Sequence, residues 1–429
     1  MNRLGARIEP LRGLLYDQRT VGDLTRVLAP PYDVISEAEQ RDLYERSPYN
    51  VVRLELGRDA DRYATAQATL REWVDRGVLR RAERPSLFHY TQRFQVEGRN
   101  FVRTGFVVRF RLEDFARGRI LPHEKTFPAP KEDRFKLLAA TRTNISSIFG
   151  LYSGSHPELD RLRAEIMSRT PLIEADDSLG IRNELRAIEA PDEIATVQSA
   201  LESARLLIAD GHHRYETALS YRRERRATEH PSDPQGFDYT MMTLVACDDP
   251  GLVVLPTHRI VRRLRPQAMA SFAAQAHEVF EVSAVNDRAA LHNGLVDGGD
   301  GTIGIALAGA QRFFVVRVKN PDATARAIPE APAEVRSLDV TVLHTLIFDQ
   351  IFSLTASEIR KGGNLEYTID ANAALDAVRD GRADGAFLVN PPSINEVERV
   401  SDAGATMPEK STYFFPKLAT GLVLNPLDD

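Results

Sequence analysis

The segment with the most chemically suggestive residue types and spacing is Asp210-Gly211-His212-His213-Arg214. A glycine at a strand-to-helix turn lets backbone N–H groups approach a ligand, and the partial positive charge of a helix N-terminus favours an anion. The histidines and the arginine add donors for phosphoryl oxygens, and Asp210 could hold Mg²⁺ or accept a proton from a hydroxyl nucleophile. The segment therefore predicts a phosphate-binding turn whose aspartate and histidines take part in catalysis and whose glycine and arginine bind the nucleotide.

A structural interpretation of the same turn competes with this one. Asp210 would only cap the helix and the histidines would be hydrogen-bonded packing residues, but capping needs the aspartate alone and leaves the His-His-Arg run unexplained. Zinc binding by His212 and His213 is less favoured, because neighbouring residues rarely ligate one ion and no matching ligand cluster stands nearby in the sequence.

A second polar segment, His123-Glu124-Lys125-Thr126, begins a proline-broken stretch, and loops of this kind often carry function. Either His123 or Glu124 could act there as a general acid or base. Downstream, Lys131, Arg134 and Asn144 could hold a nucleotide phosphate tail or a metal ion. A solvated charged loop is the alternative interpretation.

Thr257, His258 and Arg259 form a third candidate group, which follows an apolar strand pattern over 253–255. Open α/β sheets commonly bind ligands at such an edge, so these side chains are candidate nucleotide contacts. A polar strand end at the surface would have the same sequence.

The segment 407–417, MPEKSTYFFPK, combines lysines, hydroxyls and aromatic residues. Its candidate phosphate-binding residues are Lys410, Ser411, Thr412 and Lys417. Only seven of the 55 basic residues are lysines, so a lysine could mark a place that needs a compact ammonium, although chance retention is the alternative. Core packing of the two phenylalanines is compatible with either interpretation.

The elements that must position these residues follow from periodicity. Residues 204–209 form an apolar strand pattern and residues 215–223 have helical spacing, which predicts a strand-to-helix turn between them. Residues 86–112 alternate at period two in two runs, which is typical of a β-hairpin. The alternation over 50–57 predicts a further strand, and the amphipathic pattern over 63–77 predicts a helix. The order of elements indicates an α+β or mixed α/β fold.

Composition narrows the class of protein. The chain has 429 residues, of which 43% are hydrophobic, so it can bury a large core and should form two or three domains. The start lacks a secretion signal, no stretch approaches the length of a membrane span, and a single Cys247 excludes an internal disulfide, which favours a reducing cytosol. The net charge of -6 argues against a broad nucleic-acid surface.

Familiar nucleotide motifs are missing from the sequence. It contains neither GxxxxGK[ST] nor GxGxxG, nor the HRD and DFG motifs of protein kinases. A kinase activity would therefore belong to another fold.

The segments APPYDVI, NVVRLELG, HEKT, ADGHHRYETAL, LPTHR and MPEKSTYFFPK together resemble domain of unknown function family 1015 (DUF1015) over nearly the whole chain. That family is similar to the ParB/sulfiredoxin fold, whose members include free-serine kinases with a DGHHR turn. The resemblance implies that Asp210–Arg214 binds nucleotide phosphates. It also implies a catalytic carboxylate on an N-terminal segment, with Glu9 and Asp33 as candidates, whereas sulfiredoxin chemistry needs a turn cysteine that is absent here.

The resemblance implies a domain organisation as well. Residues 1–265 would form a ParB/sulfiredoxin-like nucleotide-binding core with a large inserted segment at about 85–200. Residues 266–335 would form a small α/β region, and residues 336–429 an additional C-terminal α/β region that contributes the EKSTYFFPK element.

The leading hypothesis is a soluble bacterial kinase of the cytosol that uses ATP or ADP with Mg²⁺ on a small hydroxyl metabolite, with free L-serine as the best candidate acceptor. One alternative is a ParB-like nucleotide-gated protein linked to DNA, and another is a metabolite sensor without catalysis. The expected partners are the nucleotide and the small-molecule substrate, without a membrane, and the sequence is compatible with a homodimer.

Overall fold

The computed structural model describes residues 7–154, 156–320, 322–355, 358–359 and 363–428, so that Lys361 lies outside the described residues. Along the described chain the strands are β1 (Ile8–Glu9), β2 (Leu14–Tyr16), β3 (Leu79–Arg81), β4 (Leu87–Val96), β5 (Arg99–Arg111), β6 (Ile120–Pro122), β7 (Thr143–Asn144), β8 (Ile148–Tyr152), β9 (Ile173–Asp176), β10 (Arg182–Ile188), β11 (Leu206–Asp210), β12 (Tyr239–Ala246), β13 (Val253–Leu255), β14 (His258–Val261), β15 (Phe280–Val285), β16 (Thr302–Leu307), β17 (Phe313–Val318), β18 (Leu365–Thr368), β19 (Gly385–Val389), β20 (Tyr413–Phe415) and β21 (Asn425–Pro426).

The α-helices of the described residues are α1 (Gln18–Val21), α2 (Glu37–Arg46), α3 (Val52–Glu55), α4 (Arg62–Asp75), α5 (Pro128–Thr141), α6 (Pro157–Met167), α7 (Pro191–Leu201), α8 (His212–Glu229), α9 (Pro266–Val279), α10 (Arg288–Gly298), α11 (Asp322–Ala327), α12 (Ala333–Arg336), α13 (Asp339–Val342), α14 (Ala371–Arg379) and α15 (Ile394–Asp402). A π-helical segment, Leu343–Ile351, follows α13 directly.

The chain divides into two compact units. The first unit consists of the described residues of 1–122, 126–253 and 416–429, and the second consists of 123–125 and the described residues of 254–415. Each unit has its own mixture of helices and sheet, so the mixed α/β class that the sequence predicts is confirmed.

The first unit is built on a nine-stranded mixed sheet. Eight of its strands follow the order β6-β11-β8-β12-β5-β4-β10-β9, and the ninth, β1, pairs with β5. The predicted hairpin is confirmed, since β4 and β5 pair antiparallel from Phe88↔Val107 to Val96↔Arg99. Strand β11 lies between β6, to which it is parallel, and β8, to which it is antiparallel. Its carboxyl end is thus held on both sides close to the point where α8 begins.

Helix α8 packs one face into the core of this unit. Tyr215, Ala218 and Leu219 are buried there with Phe106, at the three- and four-residue spacing that keeps side chains on one helical face. The Tyr215 hydroxyl donates to the backbone oxygen of Glu113 at 2.8 Å. This packing fixes the orientation of the helix and therefore the direction in which the N–H groups of its first turn point.

The strand predicted over 50–57 is wrong, because the structure contains the short helix α3 there. Asn50 causes the difference: its Oδ1 accepts from the backbone N–H of Val52 at 3.0 Å, and its Nδ2 donates to the backbone oxygens of Arg26 and Leu28 at 2.9 Å. These bonds bend the backbone into a helical turn and override the local alternation of apolar residues.

The second unit contains a six-stranded antiparallel sheet with the order β15-β17-β16-β19-β14-β18. Here β16, from the segment 266–335, pairs with β19, from the segment 336–429, between Ile303↔Val389 and Leu307↔Gly385. The structure thus groups these residues differently from the predicted division, because strand pairing joins segments that are distant in sequence. Residues 416–428 lie in the first unit instead.

No helix in the described part of the chain has the length and apolar character needed to cross a lipid bilayer.

Candidate functional site

The predicted strand-to-helix turn is present in the first unit. β11 ends at Asp210, Gly211 adopts a left-handed conformation with φ of 92°, and α8 begins at His212. The Tyr215 N–H donates to the Gly211 oxygen at 2.9 Å, whereas N–H groups in the first turn of a helix have no acceptor within that helix. The positive end of an 18-residue helix therefore lies at the end of β11.

Asp210 does not cap this helix, because Gly211 holds the N-cap position without a side-chain cap. The Asp210 carboxylate instead accepts from Arg214 Nη2 at 2.7 Å and from Lys417 Nζ at 2.5 Å. Burial alone would raise the pKa of this carboxyl, but Lys417 and Arg214 outweigh burial and hold the pKa well below its ordinary value. Because two cations surround one carboxylate, the cluster of Asp210, Arg214 and Lys417 has a net positive charge.

Arg214 is directed into the protein. Its Nη1 donates to the Ser147 backbone oxygen at 2.6 Å, and the side chain is only 11% exposed. Burial would lower the pKa of this guanidinium, but the charges of Asp210 and Asp33 raise it. Arg214 Nε is buried and has no hydrogen-bond partner among the described residues. Arg214 thus holds the turn together and keeps one donor for a further acceptor.

The two histidines differ in their surroundings. His212 is buried, whereas His213 is partly exposed, and its Nε2 accepts from the Phe127 N–H at 3.0 Å. The rings of Phe127 and His213 also stack, with their centroids 6.3 Å apart. An accepting Nε2 requires a neutral imidazole with its proton on Nδ1. His213 in this arrangement is therefore a neutral side chain that holds the start of α5 beside the turn.

Lys131 contacts α8 one helical turn beyond His212. Lys131 Nζ donates to Glu216 Oε2 at 2.8 Å, and the Thr126 hydroxyl donates to Glu216 Oε1 at 2.8 Å. Sequence reasoning missed Glu216, although its position four residues after His212 on the predicted helix placed both on one face. Lys131 accordingly neutralises a carboxylate of α8.

A cavity of about 50 Å³ lies beside Arg214 in the first unit. Among its lining residues are Glu55 and Arg134, which are buried and joined at 3.3 Å, and the Ser146 hydroxyl donates to the same Glu55 oxygen at 2.9 Å. Arg134 also lies over the Tyr32 ring, 4.0 Å from its centroid. Glu55 escaped sequence reasoning, although a lone carboxylate between buried leucines in NVVRLELG is a recognisable signal.

Asn144, another predicted ligand residue, also lines this cavity. Its Oδ1 accepts from the Met241 N–H at 3.0 Å and from Asn425 Nδ2 at 2.9 Å. The amide therefore joins the short β7–β21 pair to β12.

The two N-terminal carboxylates lie in different places. Asp33 is exposed, follows Tyr32 in a 3₁₀ turn, and is close enough to Arg214 for its charge to raise the pKa of that guanidinium. Glu9 lies on β1, and its carboxylate accepts a hydrogen bond from the Tyr239 hydroxyl at 2.7 Å. β5, β12 and β8 separate β1 from β11, which puts Glu9 roughly 19 Å across the sheet from Asp210 at about 4.8 Å per strand. Asp33 is therefore near enough to interact electrostatically with Arg214, whereas Glu9 lies several strands away from β11.

In the second unit, His123 and Glu124 contact residues of the segment 407–414. Glu124 Oε1 accepts from the Lys410 N–H at 3.1 Å, and His123 Nε2 is 2.8 Å from the Thr412 hydroxyl oxygen. The Ser411 hydroxyl donates to the Pro408 oxygen at 2.5 Å, and the Lys410 side chain is exposed. Two segments that sequence reasoning treated separately thus form one polar cluster.

The Thr257-His258-Arg259 group is buried in the second unit. Arg259 Nη2 donates to the Lys410 oxygen at 3.1 Å, and Nη1 donates to the Thr257 oxygen. His258 Nδ1 accepts from the Val389 N–H at 3.3 Å. Arg259 therefore supports the segment that carries Lys410, while the Thr257 hydroxyl and Arg259 Nε are buried without a hydrogen-bond partner among the described residues.

The side chains around Asp210 offer few ligands for a divalent metal ion. No three His, Cys, Asp or Glu side chains converge as a metal site in the part of the chain that the structure describes. Mg²⁺ requires an octahedron of oxygen ligands, and both carboxylate oxygens of Asp210 are ion-paired. Asp210 therefore does not fit a protein-built magnesium site.

Comparison with known proteins gives a family match. The model for a protein of unknown function, DUF1015, matches residues 8–341, which confirms the family resemblance in the sequence. No curated protein matches the chain.

Several solved structures are similar at low identity. A free serine kinase in complex with AMP is 11% identical with a TM-score of 0.34, over 72% of this chain and 86% of that chain. SbnI from Staphylococcus aureus, truncated at its C-terminus, is 12% identical with a TM-score of 0.35, over 75% and 87%. A conserved hypothetical protein from Pyrococcus furiosus is 14% identical with a TM-score of 0.33, over 73% and 93%.

Gly211→Ala should destabilise the protein more than Gly98→Ala. Both glycines have positive φ, which costs an alanine about 1–2 kcal/mol. A Cβ at Gly98 meets open space, whereas one at Gly211 would lie 3.0–3.1 Å from the Arg214 guanidinium and push it from Asp210. Urea unfolding of the two variants measures the difference, and equal losses would contradict this crowding.

The stability of the second unit should depend on the protonation of His258. Burial, and next the charge of Arg259, lowers the pKa of His258 to about 4. The unfolded chain binds a proton near pH 6.5 and the folded chain does not, so stability falls as the pH drops from about 6.5 to 4, by about 3 kcal/mol from this group.

His258→Asn tests this dependence, because an amide oxygen can accept from the Val389 N–H without titrating. Denaturant unfolding of wild type and variant between pH 4 and 7 should give a flatter profile for His258→Asn. Parallel profiles would show that His258 does not contribute.

Proposed function

We propose that this protein, which belongs to the DUF1015 family of proteins of unknown function, is a phosphotransferase that uses ATP or ADP to phosphorylate a small hydroxyl metabolite. Free L-serine, converted to O-phosphoserine, is the first acceptor to test. The observation that carries the proposal is the turn Asp210–Arg214, where a helix N-terminus and a net positive side-chain cluster lie together at the end of β11.

The phosphate-binding part of the proposal rests on charge and geometry. Backbone N–H groups at the start of α8 and the Lys417 ammonium are suited to phosphoryl oxygens, and the unpartnered Arg214 Nε is a third donor nearby. Because Asp210 keeps both cations charged and in place, the turn is preorganised for an anion. Nucleotide is the proposed occupant, and any Mg²⁺ would bind through the phosphate oxygens.

The reaction itself needs one base. The acceptor hydroxyl oxygen forms a bond to the terminal phosphorus, the bond from that phosphorus to the nucleotide oxygen breaks, and the hydroxyl proton passes to a carboxylate. Asp33 is exposed and close to Arg214, which supports it as this base. Glu124 is the second candidate, held by the Lys410 N–H in its own unit and three residues before Phe127 in the sequence.

The proposal includes ligands, a location and an assembly. The proposed ligands are a nucleotide and a small alcohol, the proposed location is the bacterial cytosol, and a homodimer is the proposed assembly. The two alternatives predict other results: a sensor would bind nucleotide without turnover, and a DNA-linked protein would show salt-sensitive DNA binding.

Purified protein should release AMP from ADP, or ADP from ATP, only when the right alcohol is present with Mg²⁺. Lys417→Met should weaken nucleotide binding about tenfold, because one charge-assisted phosphate contact is lost. Lys136→Met is the matched control, since Lys136 is half-exposed and pairs with Glu132 on α5. Calorimetry and product chromatography measure both effects. Absence of acceptor-dependent turnover across a panel of hydroxyl metabolites would refute the kinase.

Asp33→Asn and Glu124→Gln separate the two candidate bases. Loss of the true base should lower kcat by about 10²-fold or more while nucleotide affinity stays near the wild-type value. The other variant should retain most activity. Equal, small effects of both substitutions would exclude either carboxylate as the base.

A further inference from the structure

We infer that Tyr90, Gln92, Arg103 and Asn183 form a buried cradle that positions Lys417 against Asp210. The four side chains belong to β4, β5 and β10, within the segment at about 85–200 that the family resemblance treats as an insertion. Its consequence for phosphate binding rests on the proposed function, whereas the positioning itself does not.

Hydrogen bonds connect the cradle to the main chain around Lys417. Arg103 Nη2 donates to the Pro416 oxygen at 2.5 Å, and Gln92 Nε2 donates to the Lys417 oxygen at 3.1 Å. On the far side, the Ala419 N–H donates to the Tyr90 hydroxyl oxygen at 3.2 Å. The backbone is thus held on both sides of the Lys417 side chain.

The cradle residues also bind one another. Arg103 Nη2 donates to Gln92 Oε1, and Gln92 Nε2 donates to Asn183 Oδ1 at 3.2 Å. The Tyr90 hydroxyl donates to the same Asn183 oxygen at 2.5 Å. All four side chains are at most 3% exposed, so the network is shielded from water. Buried networks of this kind favour one arrangement, because each partner lost leaves a costly unsatisfied group.

Arg103 links the cradle to the turn a second time. Its guanidinium lies over the Phe149 ring, 4.7 Å from the centroid, and Phe149 is the β8 residue opposite Asp210. Burial lowers the pKa of Arg103 to about 10, which leaves it charged at neutral pH. A single buried cation thus contacts both the strand beside Asp210 and the chain beside Lys417.

Local structure explains why a cradle is needed. Residues 416–419 belong to no helix or strand, so no ladder satisfies their backbone groups. A lysine side chain is also long and loses several rotamers when it is fixed. Holding its main chain fixes the point from which the side chain extends, with the ammonium 2.5 Å from the Asp210 carboxylate. The cradle residues are positioning residues, and Lys417 is the group that would meet phosphate.

Pulse labelling of lysines with an amine-reactive acylating reagent, read by mass spectrometry, tests the inference on the full-length protein. The chain has only seven lysines, which makes each site easy to follow. Lys417 is 12% exposed and ion-paired and should label slowly, whereas Lys136, 52% exposed, is the internal reference. Arg103→Met should accelerate labelling of Lys417 about tenfold relative to Lys136, as expected for the loss of a buried charged hydrogen bond.

Arg186→Met is the matched control. Arg186 is a buried arginine on β10 of the same sheet, bonded to Glu184 and to the Arg169 oxygen, both at 2.8 Å. It should leave the labelling of Lys417 at the wild-type rate. If it accelerates labelling as much as Arg103→Met does, general loosening explains the effect and the cradle is refuted.

Tyr90→Phe guards against misfolding, because it removes one oxygen and keeps the ring. It should accelerate Lys417 labelling severalfold, and unchanged labelling in this folded variant would overturn the inference. Arg103→Lys, which keeps a donor, should restore part of the protection.

When turnover is measurable, the cradle variants should raise KM for nucleotide more than they lower kcat. If no turnover is found with any acceptor, the proposed function is refuted. The labelling experiment then still shows whether the cradle positions Lys417.

Discussion

A carboxylate placed between two cations organises the first unit. Asp210 is mostly buried, and a buried carboxylate is destabilising unless opposite charge and hydrogen bonds surround it. Arg214 supplies one cation from the first turn of α8, and Lys417 supplies the other from a segment 207 positions away in the sequence. The three side chains can be assembled only when β11, α8 and the segment after β20 are all in place. The resulting excess of positive charge supports the proposal that an anion binds at this end of β11.

Much of the surrounding structure serves that arrangement. The β4–β5 hairpin and β10 provide the cradle that holds the main chain on both sides of Lys417. Gly211 provides the left-handed turn that lets the chain pass from β11 into α8 without crowding the guanidinium of Arg214. The Tyr215 side chain anchors the helix in the core. Packing, turn geometry and charge are therefore mutually dependent, and a segment that looks like an insertion contributes directly to the turn.

The cost of burying an unpaired charge also explains why several predicted ligand-binding arginines donate to acceptors inside the protein. A guanidinium buried within a protein must find acceptors, so Arg259 donates to backbone oxygens of its own unit and Arg134 pairs with Glu55. Arg214 likewise uses two donors inside the protein. Residue type and position in the sequence indicated binding groups in each case, but burial decided their partners. Asp33, in contrast, has its side chain exposed to solvent.

The sequence by itself determined the elements that depend on local order. The apolar run into Asp210, the glycine after it and the helical spacing that follows were sufficient for the strand, the turn and α8, and the alternation over 86–112 was sufficient for the hairpin. Tertiary structure alone decided that residues 52–55 form a helix, because Asn50 finds its partners on a distant segment. It also decided that Lys417, and not a neighbouring lysine, meets Asp210, and that Glu55 and Arg103 are buried polar centres. Local periodicity reflects which face of an element is apolar, whereas the partner of a charge depends on which distant segments the fold brings within hydrogen-bonding distance.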